Sequence, residues 1–308
     1  MPNGSPNGER AAENGSYGAQ SMWAPLRWVL MKRPQAAFRS DAWVAREWQR
    51  YGYRSCPDLA AAERQFDAFC DLLAPYVPRI DFMPVDDRAG LDSLYTHDPV
   101  KVTRRGAILL NPAKVLRQQE PAAMRDILQQ LGVPILGSLG GEARMEGGDV
   151  VWLDDRHVAL GRGYRTNDAG IRQFQSLLGD LVDDIVVVPL PHAGGPDACL
   201  HLMSVISLVD RDLAVVYSPY LPVFFRQYLL EHGYTLIEVP DHEYETLGSN
   251  VLALGPRRCV MLEGHPETAR QLAAAGAEVL TYSGADVSWK GTGGPTCLTA
   301  PLWRENLR

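Results

Sequence analysis

The residue types that support covalent catalysis occur in short polar segments of this chain. Cys297 closes GGPTC, His201 opens HLMS, and Glu146 opens EGGD. A thiolate can act as a nucleophile, a histidine can transfer protons, and a carboxylate can orient the imidazole and favour its charged form. Cys297 is predicted to be the nucleophile, because its glycine and proline neighbours suit a thiol held exposed at the tip of a strand.

The acidic residues restrict the class of substrate further. Asp98 adds a second carboxylate to that of Glu146, and extra carboxylates would repel the oxyanion that develops in acyl transfer. They suit a cationic substrate with several N–H donors, and the planar fork of a guanidinium pairs bidentately with carboxylates. A bound guanidinium would also place positive charge beside the thiol and lower its pKa. The predicted electrophile is therefore a guanidinium carbon.

The elements that must position these residues repeat about every 50 residues, each unit predicting strand, strand, helix and strand. Units begin near residues 92, 146, 201 and 249. The strand around Cys297 and the N-terminal strand and helix around Val29 and Phe66 complete a fifth unit across the termini. Closing such a ring removes exposed sheet edges. The predicted fold is an α/β ring of five units, with an ordinary open α/β sheet as the alternative.

The first strands of equivalent units would point at a common axis in such a ring. Their starts carry the acids, the histidine and the cysteine. Asp149, also there, is predicted to cap a tight glycine turn, with support of the catalytic site as the alternative. Helices are predicted at 58–73, 121–131, 168–178, 223–231 and 266–275. Residues 1–20 are rich in Gly, Asn, Ser and Ala and predict a disordered tail, which leaves 21–308 as one catalytic domain.

Composition excludes several classes of function. The chain is 46% hydrophobic and 22% charged, with a net charge of −7 and no basic cluster, which argues against nucleic acid or an anionic membrane as a partner. Five scattered cysteines without a C-x-x-C pair suggest neither a disulfide framework nor a zinc ribbon. No apolar run approaches a membrane span and no secretory signal is evident, so a cytoplasmic location is expected.

Five motifs occur in one order along the chain: LDSLYTHDP, MEGGDVVWL, GRGYRTNDAG, HLMS and GGPTC. Together they resemble the guanidino-group modifying (amidinotransferase) superfamily, and most closely its dimethylarginine dimethylaminohydrolase family. The resemblance covers roughly residues 22–308. It implies the five-bladed α/β-propeller, or pentein, fold, which agrees with the ring predicted from the repeat.

The resemblance implies catalytic roles at four positions. Cys297 would attack the guanidinium carbon and give a covalent thiouronium intermediate. His201 would protonate the leaving amine and then activate the hydrolytic water, while Glu146 would pair with His201 and the guanidinium. Asp98 would hold the guanidinium nitrogens. The implied reaction converts arginine or a methylated or otherwise substituted arginine into citrulline and an amine.

The resemblance also implies how the rest of the substrate is held. Asp92 would lie near the α-amino group, Arg117 and Arg165 would bind the α-carboxylate, and residues 32–39 lie where the family carries a mobile lid. No metal or organic cofactor is expected. The expected partner is a cationic guanidino compound, and a homodimer is the oligomer considered.

Two departures from the family pattern leave the substrate open. His97 occupies a position that is usually glutamate in methylarginine-specific members, and Arg117-Gln118 replaces a typical pair of arginines. The alternatives are an amidinotransferase, in which an amine resolves the same intermediate, and an arginine deiminase or dihydrolase. A remote alternative is a ribosome-binding propeller module without catalysis, which would not need the cysteine, histidine and acids.

Overall fold

The computed structural model describes residues 16–305. Its strands are short and its helices lie between them in a regular order. The strands are β1 (Leu26–Lys32), β2 (Arg79–Met83), β3 (Val100–Thr103), β4 (Gly106–Leu109), β5 (Ile135–Ser138), β6 (Val150–Trp152), β7 (His157–Arg162), β8 (Asp184–Pro189), β9 (Ile206–Asp210), β10 (Leu213–Val216), β11 (Thr235–Glu238), β12 (Leu252–Gly255), β13 (Arg258–Leu262), β14 (Glu278–Tyr282) and β15 (Ala300–Arg304). The helices are α1 (Pro34–Phe38), α2 (Asp41–Glu47), α3 (Leu59–Leu73), α4 (Glu120–Gln130), α5 (Asp168–Leu178), α6 (Val223–Glu231), α7 (Asp241–Tyr244) and α8 (Pro266–Ala274).

These strands form separate three-stranded sheets of one design. The orders are β15-β1-β2, β3-β4-β5, β6-β7-β8, β9-β10-β11 and β12-β13-β14. In each sheet the middle strand pairs antiparallel with the first strand and parallel with the third. A parallel neighbour requires a crossover, and a helix supplies it in every unit. The predicted order of strand, strand, helix and strand is confirmed.

The first sheet joins the two ends of the chain. β1 pairs antiparallel with β15, with Leu30 opposite Ala300, and parallel with β2, with Leu30 opposite Asp81. The predicted unit across the termini is therefore confirmed, and the fold is the five-bladed α/β propeller. Each blade gives its middle strand two paired neighbours, so that no blade exposes the edge of its central strand.

Helices pack one apolar face against the sheets. In α3 the buried face contains Ala62, Phe66, Phe69 and Leu73, at helical spacing, and the Asp58 side chain caps the helix by accepting from the Ala61 amide. Burying a large apolar side chain contributes about 1.5–3 kcal/mol. The predicted helices agree with α3 to α6 and α8 within one residue at each end.

Several details differ from the sequence prediction. Residues 92–98 do not form a strand: a 3₁₀ turn covers Leu91–Leu94, and β3 begins only at Val100. Likewise Gly147–Asp149 and Leu202–Ser204 are single 3₁₀ turns before β6 and β9. The residues there (Gly, Asp, Ser) bond locally to the backbone or accept tight turns, so they favour turns over strands.

The segment that the resemblance placed at a mobile lid has regular secondary structure. Residues 32–39 end β1 and form α1, and Pro34, Ala37 and Phe38 are buried. The predicted tail lies outside the described residues for 1–15, while Gly18 donates to the Leu302 carbonyl and the folded part therefore begins before residue 21. Within residues 16–305, no helix combines the length and apolarity needed to cross a membrane.

Candidate active site

A cavity of about 830 Å³ opens where the turns before the first strands meet. This volume lies in the upper part of the range usual for small-molecule sites, about 300–1,000 Å³. Asp98, His201, Asn250 and Cys297 line it, and each comes from a different blade. The turns, not the strands, therefore carry the polar groups of the site. Other polar side chains on its wall are Asp92, His97, Lys114, Arg117, Arg165 and Cys199.

Close approach of these turns depends on glycine. A Cβ placed on Gly148 would lie 2.6 Å from the His201 ring, and one placed on Gly294 would lie 2.5 Å from the Asn250 side chain. Contacts that short do not occur in real structures, so the neighbouring group would have to move. The EGGD and GGPTC motifs thus bring the His201 and Asn250 side chains against backbone.

Cys297 lies in a turn just before β15. Its Sγ accepts a hydrogen bond from Asn250 Nδ2 at 3.4 Å, and Asn250 Oδ1 accepts from the Thr296 amide at 3.1 Å, so the asparagine fixes both thiol and turn. Burial and the negative charge of Asp98 raise the pKa of Cys297 to about 12. Without a bound cation the thiol is protonated at neutral pH.

His201 and Glu146 form a buried pair. His201 Nε2 lies 2.7 Å from Glu146 Oε2, and the backbone amide of His201 donates to Ser204 Oγ at 3.0 Å. Burial alone would lower the pKa of His201, but Cys199, Asp98 and Glu146 outweigh it and raise that pKa well above its usual value. Burial likewise opposes ionisation of Glu146, yet His201 and Arg165 lower its pKa to about 2. The pair is therefore an imidazolium with a carboxylate.

Asp98 faces the same space. Its Oδ1 accepts from the Gly148 amide at 3.0 Å and its Oδ2 from Arg117 Nη1 at 2.6 Å. Burial raises the pKa of Asp98, but the positive charges of Arg117 and His201 outweigh burial and hold it well below the usual range. Asp98 is thus a carboxylate at every physiological pH.

Ligating atoms of Asp98, Glu146 and His201 lie within 4.8 Å of one another. A metal ion at this point would sit beside the guanidinium groups of Arg117 and Arg165, which bind the same carboxylates. A metal needs direct contact with lone pairs that these arginines and the Gly148 amide already share. A planar group with N–H donors needs only a further hydrogen bond to each oxygen. The arrangement fits such a donor better than a metal.

Arg117 differs from the prediction made for it. Its Nε and one Nη2 hydrogen bind Glu120, the other Nη2 hydrogen binds the Tyr95 carbonyl, and Nη1 binds Asp98. The side chain is 3% exposed. Since these contacts leave a single Nη1 hydrogen, Arg117 cannot clasp a substrate carboxylate bidentately. In this structure it positions Asp98.

Arg165 and Asp92 keep contact with the cavity. Arg165 donates from Nε to Glu146 Oε1 at 3.0 Å, its Nη2 lies 2.9 Å from Oε2, and its side chain remains 11% exposed. Asp92 is paired: Lys114 Nζ lies 2.6 Å from its Oδ2. The structure therefore brings the predicted site residues to one cavity except Glu146, which is buried behind the wall and contacts His201 and Arg165. Asp92 and Arg117 have partners other than those predicted.

His97 faces the cavity as a neutral ring. Its Nδ1 lies 2.9 Å from the Thr299 carbonyl and its Nε2 lies 2.6 Å from Lys101 Nζ. Burial and the neighbouring Lys101 lower the pKa of His97 to about 3, and burial lowers that of Lys101 to about 7. Nδ1 therefore donates to Thr299 and Nε2 accepts from Lys101, so both ring nitrogens are occupied.

Asp149 supports the site from behind. It accepts from Thr166 Oγ1 at 2.6 Å and from the Leu202 amide at 2.8 Å. Thr166 in turn follows Arg165, and Leu202 follows His201. Asp149 thus ties together the two segments that carry these side chains. The predicted alternative of support rather than capping agrees with these contacts.

Sequence reasoning missed Cys199 and Lys114, which lie on the cavity wall beside the predicted residues. Cys199 is exposed, and its Sγ lies 3.8 Å from His201 Nδ1. Partial desolvation opposes its ionisation, but the charges of His201 and Arg165 outweigh it and lower the pKa of Cys199. Its spacing of two residues from His201 was a usable signal, because alternate residues of an extended segment share a side. Lys114 gave no comparable signal, since it lies in a loop.

With this geometry in view, the comparisons with known proteins decide the family. The model of the family described as "Arginine deiminase" matches residues 92–222 and 217–304. The chain belongs to this family. Its place in the guanidino-group modifying superfamily, predicted from the five motifs, is confirmed.

Two relatives match this chain over nearly their whole length, and a third over about half. An N(G),N(G)-dimethylarginine dimethylaminohydrolase from Streptomyces coelicolor is 28% identical over 90% of this chain and 98% of its own. The uncharacterised protein YkgA from Bacillus subtilis is 28% identical over 92% of this chain and 93% of its own. A 30%-identical arginine deiminase from Mycobacterium avium matches 54% of this chain and 48% of its own.

Solved structures share the family's fold. The dimethylarginine dimethylaminohydrolase of Pseudomonas aeruginosa, complexed with citrulline, superposes with a TM-score of 0.72 at 23% identity, covering 90% of this chain and 99% of its own. An amidinotransferase of saxitoxin biosynthesis from Microseira wollei gives a TM-score of 0.76 at 18% identity, over 94% and 98%. The family thus includes guanidino hydrolases, and its fold also occurs in an amidinotransferase.

Proposed function

We propose that the residues predicted as one catalytic domain, 21–308, together with the ordered residues that precede them, form a domain that hydrolyses a guanidino C–N bond. The substrate is arginine, a methylated arginine or a related substituted arginine, and the products are the ureido compound (citrulline from arginine) and an amine. Cys297 is the nucleophile, His201 the acid and base, and Glu146 and Asp98 the carboxylates that hold the guanidinium. One observation supports these roles: polar atoms of Asp98, Glu146 and His201 lie within 4.8 Å of one another, and Asp98 and His201 line the same cavity as Cys297.

Substrate binding prepares the thiol. In the free protein burial and Asp98 raise the pKa of Cys297 to about 12. A guanidinium bound to Asp98 neutralises that negative charge and adds a positive charge beside the sulfur, so the pKa falls and the proton leaves to solvent. The thiolate is therefore formed only when the substrate is present.

The first half-reaction forms a C–S bond and breaks a C–N bond. The Cys297 thiolate attacks the guanidinium carbon, and the imidazolium of His201 gives its proton to the departing nitrogen. The amine leaves neutral, and the carbon stays on sulfur as a thiouronium cation. Glu146, 2.7 Å from His201 Nε2, holds the ring in the charged form that this step requires.

The second half-reaction reverses the proton transfer. Neutral His201 takes a proton from water and the resulting hydroxide adds to the thiouronium carbon. The C–S bond then breaks to return the thiolate, and the proton left on the former hydroxide oxygen is released to solvent, which gives the neutral ureido product. The oxygen of water ends in the ureido product. Asp98 and Glu146 remain ionised throughout, because their pKa values are held low in the folded protein.

The decisive test is mass spectrometry of the enzyme during turnover. Wild type is incubated with arginine, monomethylarginine and dimethylarginine, quenched in acid and digested, and the soluble products are measured in parallel. We expect a substrate-derived adduct on the Cys297 peptide together with citrulline and the matching amine. Cys297→Ala removes both, whereas Cys56→Ala, which changes an exposed cysteine outside the cavity lining, retains both.

Other outcomes would correct the proposal. If Cys297→Ala hydrolyses these substrates as fast as wild type, the proposed nucleophile is wrong. If the adduct forms but turnover requires an added amine such as glycine, the chain is an amidinotransferase. If arginine gives ornithine and no citrulline accumulates, the reaction is that of a dihydrolase.

A further inference from the structure

One part of the cavity wall carries charged side chains that make no hydrogen bond to the Cys297 thiol. We call the group Asp92, Lys114 and Arg165 the tail subsite, because it faces the cavity beside the Glu146 carboxylate. Asp92 and Lys114 are paired at 2.6 Å, with side chains 7% and 27% exposed. The pair has no net charge, so Asp92 is not a free anion that awaits a cation.

Lys114 is fixed in this place. Its Nζ donates to the Tyr51 carbonyl as well as to Asp92, and it lies 5.4 Å from the centroid of the Tyr51 ring. Its backbone amide points at Glu146 Oε1 at 3.4 Å, so the loop that carries it is tied to the site. An ammonium group has three hydrogens, and these contacts use two of them. The third is available to a ligand.

The remaining donors around the subsite are also cationic. Arg165 uses Nε and Nη2 on Glu146, and in residues 16–305 its Nη1 finds no protein acceptor. Arg50 and Arg54 line the same cavity, whereas Asp197 is the one further acid on its described wall. Arg50 is itself paired with Glu47, so Lys114 and Arg165 are the cationic groups of the tail subsite that keep a hydrogen for a ligand.

We propose that the substrate tail carries a carboxylate but no α-ammonium group, so that the substrate is an arginine whose α-amino group is absent or acylated. This inference rests on the proposed function and narrows its "related substituted arginine". The carboxylate would accept from Lys114 Nζ and Arg165 Nη1. An α-ammonium at Asp92 would share one carboxylate with the ammonium of Lys114, and such like charges repel.

The experiment compares three substrates of equal chain length: L-arginine, Nα-acetyl-L-arginine and 5-guanidinopentanoate. Release of ammonia and formation of the ureido product give kcat/KM for each. Wild type is expected to favour the two substrates without an ammonium by about tenfold or more, the factor that one charge-assisted contact supplies. Lys114→Met should remove this preference, because it frees Asp92 for the arginine ammonium and deletes a carboxylate donor. Lys114→Arg should keep it.

Lys290→Met is the matched control. Lys290 also pairs with an aspartate, Asp286, but is absent from the cavity wall, so its loss should leave the ratio of the three substrates unchanged. Asp92→Asn provides a second variant that keeps the side-chain shape. Asp92→Asn should raise the preference for the substrates without an ammonium, because Asp92 then no longer neutralises the charge of Lys114. Thermal unfolding shows whether each variant is folded.

The experiment distinguishes failure of the tail assignment from failure of the proposed hydrolase function. If wild type uses L-arginine as well as the other two, or if Lys114→Met leaves the ratio unchanged, the tail assignment is wrong while the Cys297 adduct still supports the hydrolase. If none of the three substrates forms an adduct on Cys297, the proposed function fails and this inference fails with it.

Discussion

Two cysteines face the same cavity under opposite electrostatic conditions. Burial and Asp98 raise the pKa of Cys297 to about 12, whereas His201 and Arg165 lower the pKa of Cys199 despite desolvation. The residue proposed to do the chemistry is therefore the less reactive thiol in the free protein. Thiol reactivity here follows the nearby charges, so the proposed nucleophile would be activated by its substrate instead of by its surroundings.

Among the variants that leave Cys297 in place, substitution of His201 should change turnover most, and it should also change the reactivity of Cys199. His201→Ala removes the proton donor and acceptor of the proposed reaction, so turnover should fall by about 10²–10⁴-fold. It also removes the cation beside Cys199, so alkylation of Cys199 at neutral pH should slow. Steady-state assays and timed iodoacetamide labelling measure the two effects.

The matched control for this variant is His232→Ala. His232 is exposed at the end of α6 and contacts the Tyr228 carbonyl, outside the cavity wall. It should retain full turnover and unchanged labelling. If His201→Ala turns over normally, the proton-transfer role is wrong, and if Cys199 labels as before, His201 is not the group that lowers its pKa.

Asp98→Asn should slow turnover and speed the alkylation of Cys297 in the free protein. Turnover falls by about 10²–10³-fold, because a charge that holds the guanidinium is lost. Alkylation of Cys297 in the free protein becomes faster, because the negative charge that raises its pKa is removed. Labelling is measured in a Cys199→Ala background, so that one cavity thiol remains.

Asp210→Asn controls for the loss of an ion pair alone, since Asp210 binds Arg257 at the end of β9, away from the cavity. This variant should label and turn over like wild type. Slower alkylation of Cys297 in Asp98→Asn would contradict the electrostatic account of its high pKa.

The order of labelling in wild type tests the comparison directly. With a pKa of about 12, Cys297 is ionised in roughly one molecule in 10⁴ at pH 8. Cys199 should therefore react with iodoacetamide first between pH 6 and 8, and Cys297 should gain reactivity as the pH rises through 9 to 11. Peptide mapping after short exposures gives both rates. Equal rates at pH 7 would contradict the assigned directions.

Cys199→Ser should have the smallest effect. The substitution leaves the proposed reaction intact, so turnover should stay within about tenfold of wild type. The Cys199 thiolate helps to raise the pKa of His201. Removing it lowers that pKa, so the protonated acid is lost at a lower pH, and the alkaline limb of the kcat profile moves down. A profile identical to that of wild type would show that Cys199 does not tune the histidine.

Much of this protein could be predicted from its sequence because its repeat is regular. The alternation of apolar runs and helical stripes predicted the blade order, and its helices agree closely with α3 to α6 and α8. The starts of the units predicted that Asp98, Glu146, His201 and Cys297 meet. The prediction failed at the segments just before the first strands, where short polar residues form 3₁₀ turns instead of strands.

Ion pairing within the site was not predictable in the same way. Arg117 was expected to bind the substrate, yet its donors are occupied by Asp98, Glu120 and the Tyr95 carbonyl. Lys114 carried no motif, yet it neutralises Asp92. Each pairing depends on a few ångströms between side chains of separate loops, and a period of about 50 residues does not determine such distances.

Residue types, their order along the chain and the periodicity that brings them to one axis could all be inferred before the structure was known. Those are local and repeated properties, and hydrophobic spacing and turn residues encode them along the chain. The folded structure was needed to show which charges lie close together. In it the Cys297 thiol is protonated, Cys199 lies beside His201, and Asp92 is paired with Lys114. The reason is that Coulomb interaction and desolvation depend on distance and burial, which folding alone sets.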